Sequence, residues 1–330
     1  MTESKSFLVV GGGAVGSIFA WRLQEGGSNV ALICRSNYQT ILDTGFKIKS
    51  HQFGTATFNP NKVYTSAAQA SAQGQKYDYI LICTKSLPNR HNPADVLDGL
   101  DVSDSTIVLI QNGIGIEDPF YQKFSSAAII SSITYIDTKQ VESGIIEHGI
   151  SADLSFGLYD PEKRLSSNQS ADKILNSLHH CLVQGKLKAN INHNIQTERW
   201  YKLCWNASFN PISVVAGASN TVQLLSDPKM HALIATTMRE IISVGEAYVG
   251  MPLSDKLPSD QIPEFYISFT KMRPDPVYPS MMVDFLNKRP MEHQVILKNP
   301  IDIAKSLNIK VPTLEFIYTF VSYLENKQLQ

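Results

Sequence analysis

With 330 residues, 43% of them hydrophobic and 18% charged, the chain has room for two domains with separate cores and has globular composition. A formal net charge of -1 excludes the strong electrostatic pull that would carry it to nucleic acid or an anionic membrane. The cysteines Cys34, Cys83, Cys181 and Cys204 are scattered, with no CxxC pair and no histidine at ligand spacing, so neither a disulfide framework nor a metal site is predicted.

The apolar run Phe7-Leu8-Val9-Val10 is broken by glycines too soon to be a signal peptide or a membrane span, and a cytoplasmic location is expected. Short apolar runs then alternate with longer mixed segments, which is the pattern of a parallel sheet joined by helical crossovers. Strands are predicted at Ser6 to Val10, Asn29 to Cys34, Tyr77 to Cys83, Thr106 to Gln111 and Ala127 to Ile133. Antiparallel strands are predicted near Gly144 to Gly149 and Asp153 to Gly157. Gly13 to Gln24 and Ala171 to Gln184 read as crossover helices, each flanked by turn residues.

From Asn194 onward the texture becomes helical, clearest over Gln196 to Phe209 and Pro228 to Val249. The proline-rich stretch Gly250 to Pro279 reads as a connection with a short helix, after which Ser280 to Asn287 and Pro300 to Leu307 resume helical spacing. Two domains follow, 1–193 and 194–330. The amphipathic helices of the second could bury a face within the monomer or against a twin, so a homodimer is open.

Gly11, Gly13 and Gly16 form G-x-G-x-x-G directly after the first strand and at the mouth of the first helix. In that context the first glycine permits a tight turn, the second lets backbone approach a pyrophosphate, and the third allows close helix packing. Arg35 ends the second strand where an NAD-binding protein usually carries an acidic residue, and a cation there favours the 2′-phosphate of NADP(H). Lys85, after Cys83-Thr84, reads either as a phosphate or ribose contact or as a solvated lysine opening a helix. Asn112, in Gln111-Asn112-Gly113-Ile114-Gly115, reads either as a ligand group at the sheet edge or as an ordinary turn residue.

In the helical half, Lys202, Asn206 and Asn210 recur at i, i+4 and i+8 and so share one helix face, between faces carrying Trp200, Leu203, Trp205 and Phe209. One cation and two amides set among apolar groups could hold a small carboxylate with a proton donor near its carbonyl oxygen. The alternative is a polar face turned to water.

The glycine motif, a Lys after the third strand, Asn-Gly-x-Gly after the fourth, W-x-K-L-x-x-N-x-x-x-N-P from Trp200, and Ser280-Met281 with Arg289-Pro290-Met291-Glu292 together resemble the ketopantoate reductase family, in the family's order. The resemblance implies an α/β protein with an N-terminal Rossmann-type dinucleotide-binding domain, a C-terminal all-α domain and an active site in the cleft between them. It implies NADPH-dependent reduction of 2-dehydropantoate to pantoate, in pantothenate synthesis. It makes Lys202 the general acid and gives substrate binding to Asn112, Asn206, Asn210, Asn220 and Ser280. NADPH would be held by Gly11, Gly12, Gly13, Ala14, Val15, Gly16, Arg35, Lys85, Asn112 and Glu292. Val311-Pro312-Thr313 looks like the entry to the family's closing helix.

Two departures bear on the substrate. Val277 stands where the family often has a substrate-binding Asn, and His293-Gln294-Val295 follows Glu292 in place of the usual Ile-Asp. His293 could be taken for a catalytic acid or a metal ligand, although a lone His beside a Glu is more often a surface or satisfied residue. An alternative function is an NAD(P)H-dependent D-2-hydroxyacid dehydrogenase acting on another branched or aromatic 2-keto acid. A further one is a non-catalytic NADP-binding regulatory protein.

Overall fold

The computed structural model describes residues 4–165 and 168–329. The chain divides into two compact units, one formed by Met1–Lys85, Asn92–Gln111 and Glu117–Ile195, the other by Ser86–His91, Asn112–Ile116 and Gln196–Gln330. The short segments after two strands of the first unit thus belong to the second.

The first unit is built on one mixed sheet of β1 (Ser6–Val10), β2 (Asn29–Ile33), β3 (Phe46–Ser50), β4 (Gly54–Phe58), β5 (Lys62–Tyr64), β6 (Tyr79–Ile82), β7 (Thr106–Leu109), β8 (Ala128–Glu142), β9 (Ile145–Leu158) and β10 (Lys188–Ile191). Its parallel part runs β5-β2-β1-β6-β7-β8. The chain winds outward from β1 through β2 to β5, then resumes at β6 on the other side of β1. That reversal is the switch point at which ligands of open α/β sheets bind. Continuous burial explains the unbroken apolar strands: Phe7, Leu8 and Val9 are 0% exposed, as are Ile80 and Ile82. The Ala14–Glu25 helix covers one face with Ile18, Phe19 and Leu23.

The expected strands at 144–149 and 153–157 are one strand, β9, antiparallel to β8. Ile150, 75% exposed, interrupts the apolar alternation between them, but pairing of Ala152 with Ile136 and of His148 with Thr138 carries the ladder past it. Strands β3, β4, β5 and β10 go beyond the sequence expectation. In β3 the alternation of buried Phe46 and Ile48 with exposed Lys47 and Lys49 is legible in retrospect.

The second unit is helical, and among the described residues no strand follows Ile191. Its main helices are Ile195–Val215, Pro228–Val249, Ile262–Lys271, Ser280–Leu286, Asn299–Ser306 and Pro312–Leu329. The Ile195–Val215 helix is wedged between two neighbours. Trp200, 0% exposed, lies under Gly245 of the Pro228–Val249 helix, where a Cβ would sit 3.0 Å from the indole. On the other side, Trp205 Nε1 donates to Thr270 Oγ1 at 3.0 Å and Tyr266 Oη donates to the Tyr201 carbonyl at 3.1 Å. These contacts fix the helix rotation, and with it the direction of the Lys202 face. Glu240 accepts from the Thr313 and Leu314 N–H groups at 3.0 and 2.9 Å, capping the last helix at the Val311-Pro312 entry. Among the described residues no helix is long and apolar enough to cross a membrane.

Candidate active site

In the first unit the glycine turn follows β1, next to the residues after β6. Gly11 has φ +111°, and a Cβ there would lie 3.0 Å from the Cys83 carbonyl carbon and the Thr84 nitrogen. A Cβ on Gly16 would lie 2.0 Å from the Gly11 carbonyl oxygen, so the helix can start this close to the strand only with glycine. Gly12 is tight as well, 2.7 Å from the Cys34 Cβ. Gly13 differs, since a Cβ there meets nothing within 4 Å. The space above Gly13 fits a ligand approaching the backbone, and the helix that begins at Ala14 has no side-chain cap on its first N–H groups, including those of Ala14, Val15 and Gly16. These residues fit the pyrophosphate of a dinucleotide.

Around this turn, Asn37 is buried and its Nδ2 donates to the Gly12 carbonyl at 3.0 Å and to Gln140 Oε1 at 2.9 Å, tying the end of β2 to the glycine turn. Gln111 Nε2 donates to the Thr84 carbonyl at 2.7 Å. Arg35 and Lys85 are exposed beyond β2 and β6. Lys85 opens a loop; the helix that its alternative reading assumed is absent there.

In the second unit, Lys202 Nζ donates to Asn112 Oδ1 at 3.2 Å. Asn112 begins the turn after β7, and its neighbours are held from several sides. Arg199 Nη1 donates to the Gly113 carbonyl at 3.0 Å, Ile114 N–H to the Val295 carbonyl at 2.8 Å, and Asn299 Nδ2 to the Ile114 carbonyl at 2.8 Å. Glu292 is buried and accepts from the Ser86 N–H at 3.0 Å, anchoring the loop after Lys85. Lys202 is partly buried. Burial first, and the nearby Arg199 charge second, pull its pKa down to about 8 against the opposing pull of Glu292 and Glu198. Further along the same face Asn206 is 8% and Asn210 1% exposed, and Asn210 Oδ1 is buried with no hydrogen-bond partner. An unsatisfied buried amide oxygen costs about 1–3 kcal/mol, which a donor on a bound ligand would remove. The polar face is thus turned inward, against the alternative of a solvated one.

Residues 7–161 match the family described as Ketopantoate reductase PanE/ApbA, and residues 194–325 match its C-terminal part, Ketopantoate reductase PanE/ApbA C terminal. This chain belongs to the ketopantoate reductase family. These are oxidoreductases, and the chain is similar over its length to several. It is 32% identical to a 2-dehydropantoate 2-reductase of Methylococcus capsulatus of known crystal structure, with 98% of each chain covered and a TM-score of 0.83. It is 24% identical to the 2-dehydropantoate 2-reductase of Nostoc sp., covering 99% of this chain and 97% of that one. A D-mandelate dehydrogenase solved with NADH and anilino(oxo)acetate shares the fold, at a TM-score of 0.82 and 20% identity over 98% of this chain and 99% of that one.

Not every residue that the ketopantoate reductase resemblance singles out joins the Lys202 group. Asn220 caps the helix Thr221–Leu225: its Oδ1 accepts from the Gln223 N–H at 3.0 Å, and Gln223 Oε1 accepts from the Asn220 N–H at 2.9 Å. Ser280 is exposed at the start of the Ser280–Leu286 helix. The divergent Val277 is beside that cap. Thr221 N–H donates to the Val277 carbonyl at 3.1 Å, and Val277 N–H donates to Thr221 Oγ1 at 3.0 Å. His293, the second departure, is 4% exposed with Nε2 2.9 Å from Glu325 Oε2, which makes it a partnered core residue. Burial raises Glu325's proton affinity, but the His293 bond and the Met291 N–H outweigh it and hold the carboxyl below its usual range. A π-helical turn, Gln294–Lys298, separates Glu292 from Asn299, and such turns gather at functional sites.

Sequence reasoning missed Arg199, Asn299 and Asn37. Arg199 carried a signal, being a second cation three residues before Lys202 and so on the same side of the helix. Asn37 and Asn299 carried none, because their partners are backbone carbonyls far away in sequence.

Proposed function

We propose that this chain is an NADPH-dependent reductase of 2-dehydropantoate, with Lys202 as general acid. The observation that carries the proposal is the partly buried Lys202 ammonium, bonded to Asn112 and sharing a helix face with Asn206 and Asn210. A bound reduced nicotinamide would supply hydride to the keto carbon. Lys202 Nζ gives its proton to the carbonyl oxygen, so that the product is a 2-hydroxy acid, and the neutral amine then regains a proton from solvent. A pKa near 8 leaves Lys202 mostly protonated at neutral pH but readier to donate than an ordinary lysine. Asn112 Oδ1 orients the ammonium, while the amides of Asn206 and Asn210 supply donors for the substrate carboxylate and an acceptor for its hydroxyl. Asn220 and Ser280 contribute from the neighbouring helix starts, Asn220 through the amide N–H groups that its cap leaves over.

On the cofactor side, the Gly11–Gly16 turn takes the pyrophosphate, the exposed Arg35 takes the 2′-phosphate that distinguishes NADPH from NADH, and the exposed Lys85 contacts cofactor phosphate or ribose. Asn112 and Glu292 complete the cofactor contacts. In this proposal 1–193 serves the cofactor and 194–330 the substrate.

A second reading is a D-2-hydroxyacid dehydrogenase acting on another branched or aromatic 2-keto acid. Val277 supports it, since an apolar side chain beside the Asn220 cap replaces a polar one, and D-mandelate dehydrogenase has the same fold. Oxidation of NADPH and of NADH by the purified protein, with 2-dehydropantoate and a panel of 2-keto acids, separates the two. A kcat/KM highest for NADPH with 2-dehydropantoate is the expected result. Turnover of an aromatic 2-keto acid alone would favour the second reading, and no turnover of any would overturn both.

A further inference from the structure

Arg199 stands one turn before Lys202 on the Ile195–Val215 helix and is 2% exposed. A guanidinium keeps its proton in proteins, so this is a permanent positive charge in the interior, which is costly unless its donors are satisfied. One donor goes to the Gly113 carbonyl at 3.0 Å, while Lys202 reaches the preceding residue, Asn112, at 3.2 Å. Two cations on one helix therefore hold consecutive residues of one turn. The far side of the turn is closed. Gly113 has φ +93°, and a Cβ there would lie 2.5 Å from the Val295 side chain, while Ile114 is bonded at both its N–H and its carbonyl to Val295 and Asn299. With that side fixed, the bond from Arg199 decides how closely the turn sits against the helix.

We propose that Arg199 is a positioning residue for Lys202: it seats the Asn112-Gly113 turn so that Asn112 orients the ammonium, and it keeps a second positive charge beside that ammonium. The inference rests on Lys202 being the proton donor. The charged groups facing Lys202 are Arg199 and Glu198 from its own helix and Glu292 from the segment before the π-helical turn. Arg199 is the one that favours release of the proton, and the two carboxylates favour retention.

The test follows Lys202 directly, by NMR titration of isotope-labelled lysine assigned with Lys202→Ala, alongside the pH dependence of kcat. Arg199→Met should move the Lys202 titration and the alkaline limb of kcat upward together, by about one unit. Arg199→Lys keeps the charge, so the titration should stay in place while kcat falls about tenfold through loss of the Gly113 anchor. A Lys202 titration unchanged in a folded Arg199→Met overturns the electrostatic half of the inference. Should Arg199→Met not fold, Arg199→Lys combined with Asn112→Ala decides, because additive effects on kcat in that cycle overturn the positioning half. Full turnover by Lys202→Ala would instead overturn the general-acid reading, a failure distinct from either of these.

Discussion

Lys202 Nζ and Asn112 Oδ1 lie 3.2 Å apart, although the residues are separated by 90 positions. The bond ties the turn after a strand of the sheet to the helix bearing the proposed acid. Lys202→Ala should lower kcat by roughly 10²–10⁴-fold, the range of a general acid's contribution. Asn112→Ala removes the orienting acceptor but leaves the ammonium, so a smaller loss, roughly tenfold to a hundredfold, is expected. Steady-state assays with the best 2-keto acid check both, and equal losses would show that Asn112 does more than orient.

The depressed pKa of Lys202 sets a pH profile. The ammonium is the active form, so kcat/KM should be flat below about 8 and fall tenfold per unit above it. A profile flat to above pH 10 would show either that the lysine is not the acid or that its surroundings do not lower its pKa.

The same residue should cost stability. In the unfolded chain a lysine titrates near 10.5, in the folded chain near 8, so between these values the unfolded state binds more protons and stability rises with pH. Below about pH 8 the full penalty of a charged, desolvated ammonium is present. Lys202→Met should therefore raise the unfolding free energy at pH 7 by on the order of 2 kcal/mol, and the melting temperature with it, and the gain should shrink towards pH 10. Thermal unfolding at the two pH values measures it.

The glycine turn separates binding from folding. Gly13→Ala places a methyl in open space at a backbone conformation that alanine tolerates, so the fold should persist while NADPH affinity falls. Gly16→Ala puts that methyl against the Gly11 carbonyl oxygen and should destabilise the protein itself, by about 1–3 kcal/mol. Calorimetric binding and thermal melts of the two variants read the difference.

Arg35 is exposed beyond the second strand. If it holds the 2′-phosphate, Arg35→Ala should raise the NADPH Kd by about 10–100-fold, the worth of a charge-assisted bond, and leave NADH unchanged. An equal change for both cofactors would remove Arg35 from phosphate recognition.

What depends on local spacing was legible in the amino-acid sequence alone. Glycines at 11, 13 and 16 can be read because each answers a constraint within one turn of chain, and the face shared by Lys202, Asn206 and Asn210 follows from helix periodicity. The apolar strands β1, β2, β6, β7 and β8 were legible for the same reason. Strands β3, β4, β5 and β10 were not, since these short segments draw their pairing from partners elsewhere in the sheet. That Arg199 reaches Gly113 across 86 residues and Glu292 reaches Ser86 across 206 emerges from the folded chain alone. The fold also pairs His293 with Glu325 and makes Asn220 cap a helix. Those bonds satisfy buried polar groups, and which distant backbone atom lies within reach is set by how the helices pack, which no short stretch of sequence encodes.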